Sequence, residues 1–581
     1  MRALPTALFS IACLGWLAAC GSRPGYWDAA TARQTQSYGL GNAVALVDAP
    51  VNRVVLLSAQ ADQQISKRSW PIGHNFLSAA ISADAQSLLV LSQGDWPRLK
   101  AADEQPSLTV ITVSASAPFD VQAKQYLMSE PLSNLVIDND PQQKQWAVAY
   151  AGPPLSGSKQ TSFVENPNLI VIFDLTRPPN PDSRAAVDPN VAPNPISRTI
   201  QSFGGTPQRL TFTPKLQLPN GVQRRLLVIE TDQDITLVDL NEAFPVPPSP
   251  PPPEITVPLS GNAAHVKPAG IAVSPGDSNN PARIAVRADN NTNVFTLRLD
   301  PPDPQTGAAS TAARPANAFK PTINLTDVGG VPTDIQFVTT DRSNPTDTGL
   351  RVAALVPSTT SAVLVEPDTS LTTQVRLPAA YTQLSLVTNI LSAGSNPASG
   401  GAAATDVALL WGSAGAQTSG VGLWTLGTTV GQPYRSVESV LSQPIKSVDD
   451  VPKPNETRKV LEMANGAGFF VLDLVARTAE PLTTVRTPTL TIAPDGQRLW
   501  AFARGGTDLA AIEDFNALNP IRLVTLLPID AIYDVQRTDI ANARSLIALH
   551  QTGAIGATVF DAFHPDNTTS RRASALLLEG P

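Results

Sequence analysis

The stretch "LTIAPDGQRLWAFARGGTDLAAIED" (Leu490–Asp514) carries three apolar runs separated by turn chemistry. Pro-Asp-Gly follows the first run, with Pro fixing its own φ and Gly free to take a positive one, so the chain reverses sharply there. Arg-Gly-Gly-Thr ends the second run in the same way. The runs are four to six residues long, too short for helices and right for strands. A further apolar run, "IRLVTLL" (Ile521–Leu527), follows and reads as a fourth strand. Four short antiparallel strands in about 40 residues predict one small twisted sheet.

The unit recurs along the chain. "LSAAISADAQSLLVLSQG" (Leu77–Gly94) with "LTVITV" (Leu108–Val113) is one copy, and "PAGIAVSPGDSNNPARIAVRADNNTNVFTLRL" (Pro268–Leu299) is another. "LIVIFDL" (Leu169–Leu175), "ITLVDL" (Ile235–Leu240) and "FFVLDL" (Phe469–Leu474) read as third strands. The ends of these third strands fall at Asp48, Val113, Asp174, Asp239, Arg298, Glu366, Thr425, Asp473, Asp514 and Asp561, spaced 41 to 68 residues apart. That spacing fits four-stranded β-propeller blades, whereas immunoglobulin-like sandwich domains run near 100 residues each. The fold class expected is all-β, a propeller of nine to ten repeat units over 38–581. Because familiar rings have roughly four to eight blades, a seven- or eight-bladed ring with spurious units, a larger ring and two rings all remain open. The first marker leaves room for only two strands before it closes, and "ASALLLEG" (Ala573–Gly580) is expected to complete that blade and close the ring.

"ALVDAPVNRVV" (Ala45–Val55) and "IAPDGQRLWAFA" (Ile492–Ala503) resemble the repeats of YVTN and TolB-like propellers, in which an SPDG-type turn joins the first two strands. The resemblance implies the fold. It leaves function open, because such propellers serve as binding proteins, assembly factors and enzymes.

The N-terminus gives a compartment. Met1-Arg2 precedes the mostly apolar "ALPTALFSIACLGWL" and two small residues, the layout of a secretory signal too short to span a bilayer. "LAAC" resembles the lipobox of bacterial lipoproteins, with Leu17 at −3, Ala18 and Ala19 before the cut, and Cys20 at +1. The resemblance implies a signal peptide over 1–19, signal-peptidase recognition through Leu17, Ala18 and Ala19, lipid on Cys20 and a tether over 20–37. Cys13 fits worse, because Ser10 sits at its −3 position. The chain has two cysteines, both within the first 20 residues, so no disulfide framework is expected in the body. Gly21 after the cysteine, rather than Asp, points to the outer membrane, facing periplasm or cell surface.

Net charge is −8 with acids and bases intermixed, and no basic run exceeds a pair, which argues against a nucleic-acid partner. Charged residues are 15% of the chain and Pro numbers 54, a composition for strands and Pro-punctuated loops. Three Pro-rich insertions, near 177–195, 245–254 and 301–321, follow successive third strands and are expected on one rim. Loop tolerance is the favoured explanation, because loops accept insertions cheaply, and a partner-docking rim is the alternative.

Chemistry is sparse. His74, His265, His550 and His564 share no metal-ligand spacing, and no HExxH, CxxC, Walker A or GxSxG motif is present. "DND" (Asp138–Asp140) and "DNNTN" (Asp289–Asn293) carry oxygen ligands suited to Ca²⁺, but Asp and Asn also build turns through their own backbone. The Gly-rich "GLG" (Gly39–Gly41), "GVG" (Gly420–Gly422) and "GAG" (Gly466–Gly468) lack the rest of a dinucleotide site. Ser156–Lys159 matches SxxK in a loop, and Trp27-Asp28 lies outside the repeats. No catalytic residue, metal or cofactor is assigned. The expectation is a lipid-anchored cell-envelope propeller that binds or scaffolds a protein partner without catalysis, held to the membrane by the lipid on Cys20. The alternative is a lactonase- or quinoprotein-type enzyme, which needs acids or His converging on the channel.

Overall fold

The strands of each sheet pair in chain order, with a separate hairpin, Leu216–Gln217 and Gln223–Arg224, inserted between the first and second strands of the fourth sheet. In the computed structural model, residues 36–574 are described except for stretches of the connections, the longest being 154–165, 181–191, 246–253, 302–318, 391–404, 413–419 and 427–436. These residues form ten antiparallel four-stranded sheets, with one additional two-stranded hairpin and almost no helix. The sheets are the blades of a single β-propeller, numbered here 1 (36–71), 2 (76–127), 3 (134–199), 4 (207–258), 5 (268–327), 6 (334–376), 7 (383–441), 8 (445–481), 9 (489–524) and 10 (529–574).

Why these residues form blades is visible in the second strand of blade 3, Trp146–Tyr150. All five residues are buried, yet their side chains alternate. Ala147 and Ala149 pack toward blade 2, while Trp146, Val148 and Tyr150 pack toward blade 4. A strand buried on both faces loses the polar half of the usual alternation and reads as a continuous apolar run. The outer strands keep the mixed pattern of an edge, as in Thr372–Arg376, where four of five residues are exposed.

The apolar core is divided into ten clusters, each filling the interface between two consecutive blades. The tenth closes the circle: Val44, Leu46 and Leu57 of blade 1 meet Val535, Ile547 and Val559 of blade 10. The backbone N–H of Gln536 donates to the carbonyl of Gly41 at 2.9 Å, and the Ser37 and Tyr533 hydroxyls share a 2.7 Å hydrogen bond. The ten units therefore lie in one ring, and the smaller-ring and two-ring readings fall away.

Closure differs from the expectation. Asp48 ends the second strand of blade 1, not its third. Arg53–Ala59 is the third strand rather than the fourth, and Gln36–Leu40 supplies the first. Blade 1 is thus complete from N-terminal residues. Ala573 and Ser574 pair with Ala557 and Thr558 inside blade 10 and take no part in blade 1. The marker misled because Asp48 meets Arg53 across a tight 3₁₀ turn, Ala49–Val51, with Asn52 left-handed at φ 52°, so a second-to-third strand turn resembled a third-strand end. The other nine markers fall within two residues of third-strand ends.

Up-and-down strand order gives the ring two distinct faces. Connections between strands 1 and 2 and between strands 3 and 4 lie on one, termed the upper face. Connections between strands 2 and 3, and those joining one blade to the next, lie on the lower. The Pro-rich insertions join strands 3 and 4 of blades 3, 4 and 5, so all three leave from the upper face of adjacent blades.

Candidate functional site: the lower mouth and the blade 1–blade 2 cleft

Side chains near the lower ends of the inner strands bring charge together from blades 4 to 6, with Tyr150 of blade 3 and a backbone N–H of blade 7 beside it. In blade 4, Arg209 on the first strand faces Glu230 on the second. Its Nε and Nη2 donate to Oε1 and Oε2, both at 2.6 Å, and Glu230 is almost fully buried. This two-pronged bond raises the Arg209 pKa further. In blade 5, Arg287 stands opposite Gly270, and a Cβ there would lie 2.8 Å from the Arg287 Nε, so glycine makes room for the guanidinium. Burial lowers the Arg287 pKa against the pull of Asp334. Tyr150 of blade 3 is buried beside this group, and burial pushes its phenol up to about 12.

Asp334 begins the first strand of blade 6. Burial raises its pKa, while two backbone amides oppose the shift. Oδ1 accepts from the N–H of Ile335 at 2.9 Å, and Oδ2 from the N–H of Leu384 in blade 7 at 2.7 Å. Oδ1 thus caps the start of its own strand, and Oδ2 staples that inner strand to the next. Asp289 lies 3.5 Å from Lys267. The mouth holds acids from several blades, as the enzyme reading requires, but Glu230, Asp334 and Asp289 are each matched by a donor or cation. Among the described residues no group of three or more His, Cys, Asp or Glu is placed to hold a metal.

A second concavity, about 660 Å³, opens between blades 1 and 2 on the lower side. Pro50, Pro71 and Ile72 wall it, and Thr109, Gln125 and Glu104 give it polarity. The Thr109 hydroxyl is buried there with no hydrogen-bond partner among the described residues. At the rim, His74 places Nδ1 3.1 Å from Asp95 and Nε2 3.2 Å from Glu104. An amide bond from Glu104 and the His74 contact lower the Asp95 pKa. The cleft can receive a polar group, and its ionic rim is internally satisfied.

The remaining sequence candidates resolve into structure. Asp138 Oδ1 accepts from the Asp140 N–H at 3.0 Å, and its carboxylate takes both terminal nitrogens of Arg225, at 2.5 and 2.7 Å, across the blade 3–blade 4 boundary. Both partners are buried, so the carboxylate that might have held Ca²⁺ instead neutralises a guanidinium. Asn291 Oδ1 accepts from the Asn293 N–H, a turn. The Asp residues at third-strand ends do the same: Asp174 caps Thr176, and Asp473 caps Val475 and Ala476. His550 is buried, with Nε2 2.8 Å from the Thr558 hydroxyl, and burial lowers its pKa. His564 is exposed beside Asp561.

In "GVG", a Cβ on Gly420 would fall on the Leu441 carbonyl oxygen, and one on Gly422 would meet the Tyr381 ring. In "GLG", Gly39 makes room for Tyr533. These glycines serve close packing. Leu17, Ala18, Ala19, Cys20, Trp27-Asp28, Ser156–Lys159 and His265 lie outside the described residues.

Sequence reasoning missed the lower-mouth group, because each blade contributes one or two of its members. It also missed a legible signal: an Arg at or beside the start of the second strand in blades 4, 5, 6, 8, 9 and 10 (Arg225, Arg283, Arg351, Arg458, Arg498, Arg544), each paired with an acid.

No protein-family model matches the chain, and no curated protein matches it. Among solved structures it is similar to the dihydro-heme d1 dehydrogenase NirN in complex with DHE, at 10% identity and TM-score 0.34, over 85% of this chain and 75% of that one. It is also similar to the WD40 domain of SCAP from fission yeast, at 9% identity and TM-score 0.31, over 86% and 83%. A functionally unknown protein from Desulfotomaculum acetoxidans matches at 12% identity and TM-score 0.28, over 75% and 94%. Likeness at this level is likeness of general shape, and the function is argued from the residues of this chain.

Proposed function

We propose that this propeller is a lipid-anchored binding or scaffold protein of the bacterial cell envelope, most simply at the outer membrane, with no catalysis of its own. The signal peptide of 1–19 is cut after Ala19, in the context of Leu17 and Ala18, and Cys20 carries the lipid. The partner is a protein of the envelope, docked on the upper face. The observation that carries the reading is the placement of the three Pro-rich connections, which leave one face of three neighbouring blades. Stiff Pro-rich segments need no internal hydrogen bonds, so they present contact groups at small entropic cost. The engagement of Glu230 by Arg209 and of Asp334 by backbone N–H groups supports binding over catalysis.

Crosslinking and pull-down from envelope fractions test the partner. Deleting 181–191, 246–253 and 302–318 together is expected to remove the captured protein while thermal unfolding stays cooperative. Unchanged capture by that variant would overturn the upper-face reading. For the anchor, Cys20→Ala is expected to release the protein from membranes, and mass spectrometry is expected to find an acylated N-terminal Cys20.

A further inference from the structure

Six large hydrophobic residues are prominently exposed among the described residues: Leu99, Phe203, Leu325, Val331, Leu371 and Val524. Leu99 lies in the strand 2–strand 3 connection of blade 2, and Phe203 and Val331 in connections between blades. Val524 ends the last strand of blade 9. All four positions belong to the lower face. Leu371 is on the upper face, and Leu325 is within an outer strand.

The two most exposed, Leu99 at 85% and Phe203 at 65%, are held out by the same device. Asp103 Oδ2 accepts from the N–H groups of both Leu99 and Lys100 at 2.7 Å, and Arg98 Nε donates to the Asp103 carbonyl. Asp234 Oδ2 accepts from the Phe203 N–H at 2.7 Å and from the Ser202 hydroxyl at 2.6 Å. A carboxylate bonded to the backbone at a loop tip fixes the tip, so each apolar side chain is presented without an ordering cost at the moment of contact. Arg98 and Lys100 flank Leu99, while Asp95, Asp103 and Glu104 of the same loop are turned to backbone N–H groups and His74, so the immediate neighbours of the apolar tip are basic, as suits a lipid headgroup region.

The chain's own path points the same way. The first described strand, Gln36–Leu40, runs from the lower face to the upper, so residues preceding Gln36 join the ring on the lower face, at the inner edge of blade 1 where Ser37 meets Tyr533 of blade 10. Cys20 is sixteen residues before Gln36, a reach of at most about 55 Å. We infer that the lower face is the membrane-facing side of the ring, and that Leu99 and Phe203 dip into the bilayer interface. This rests on the proposed anchor for its orientation, since a tether raises the effective concentration of a contact too weak to hold alone. The assignment leaves the upper face, with its Pro-rich connections, turned away from the bilayer.

The test uses the full mature chain held on phosphatidylcholine–phosphatidylglycerol vesicles by its N-terminus. The hold is the Cys20 lipid or, in a Cys20→Ala chain that starts at residue 20, a terminal hexahistidine on nickel-chelating lipid. An environment-sensitive fluorophore is placed at Leu99→Cys or Phe203→Cys, with Leu371→Cys as the upper-face control. The lower-face probes are expected to shift to the blue and to be quenched by brominated lipid, while the control stays aqueous. In unlabelled, untethered chain, Leu99→Asp with Phe203→Asp is expected to lower vesicle partitioning by about tenfold or more, the order expected when buried apolar groups of this size are lost. Aqueous signals at both lower-face positions on tethered chain, or equal quenching at Leu371, would overturn the inference. Because the hexahistidine hold does not depend on acylation, an unmodified Cys20 with quenched lower-face probes refutes the anchor alone. An acylated Cys20 with aqueous probes refutes the lower-face assignment alone.

Discussion

Asp239 shows how far one residue's surroundings can override its ordinary chemistry. It closes the third strand of blade 4 and is buried, and burial pushes its carboxyl up to about 6. Arg224 lies 3.2 Å away but is not directed to form a hydrogen bond, and it turns instead to Glu242 at 3.0 Å. The sign of the linkage follows from the direction of the shift. The folded chain holds this proton more tightly than an unfolded chain, whose carboxyl titrates near 3.8. The contribution of Asp239 to stability is therefore full below about pH 4 and is lost as pH rises toward about 6. Asp239→Asn keeps an acceptor for the Asn241 N–H and has no charge to desolvate. The variant is expected to match the parent near pH 4 and to exceed it above pH 7 by up to about 3 kcal/mol, the order of a two-unit shift. Thermal unfolding of both proteins at the two pH values reads this, and a pH-independent gap between them would contradict the burial argument.

At the scale of strands, the sequence is most legible where burial is most complete. Second and third strands such as Leu226–Thr231 and Leu169–Asp174 are buried along their whole length, so their apolar runs stand out. First strands are less visible, because the channel side leaves residues such as Arg209 half exposed, and fourth strands are solvent edges with mixed composition. That is why third-strand ends serve as phase markers and why the nine to ten expected repeat units resolve into ten blades, whereas in blade 1 the turn at Asp48 imitates a marker and shifts the phase by one strand. The lower-mouth charges were illegible for another reason: Arg209, Arg287 and Asp334 meet only through the packing of three blades, and no spacing within one repeat encodes that. Glycine use is intermediate. "GVG" looks like a fragment of a nucleotide loop, yet Gly420 sits where a Cβ would overlap the Leu441 carbonyl on the outer strand of blade 7. Gly420→Ala is therefore expected to push Val437–Leu441 off its neighbour while the inner strands stay paired. Loss of one backbone–backbone bond costs about 1 kcal/mol, with a further 1–3 kcal/mol where a buried carbonyl loses its partner. Hydrogen exchange should show fraying confined to that strand, and unchanged protection there would sink the claim of close approach.

A ring of ten complete blades places an unusual demand on its seam. Many closed architectures are locked by strands from both chain ends in one sheet, and among the described residues no such shared sheet joins blade 1 to blade 10. The seam is held by the faces of the two blades, with the Gln536–Gly41 and Ser37–Tyr533 bonds at the inner edge. In kind it is no different from the other nine interfaces, so the ring is as strong at its seam as the packing there allows. Leu46 tests this, being 1% exposed and central to the seam cluster. Leu46→Ala removes a buried side chain at a cost of about 2–5 kcal/mol, depending on how far the cavity collapses. If the blades behave as neighbours in a cycle, the loss spreads to both sides of the seam. Faster amide exchange is then expected in blade 1 and in Arg544–His550 and Ala557–Asp561 of blade 10, nearly 500 residues away in sequence. Blades 5 and 6, whose interface cluster shares no residue with the seam, are expected to keep their protection. Exchange confined to blade 1 would mean that blade 10 does not lean on it, and the circle would have to be redrawn as an open arc.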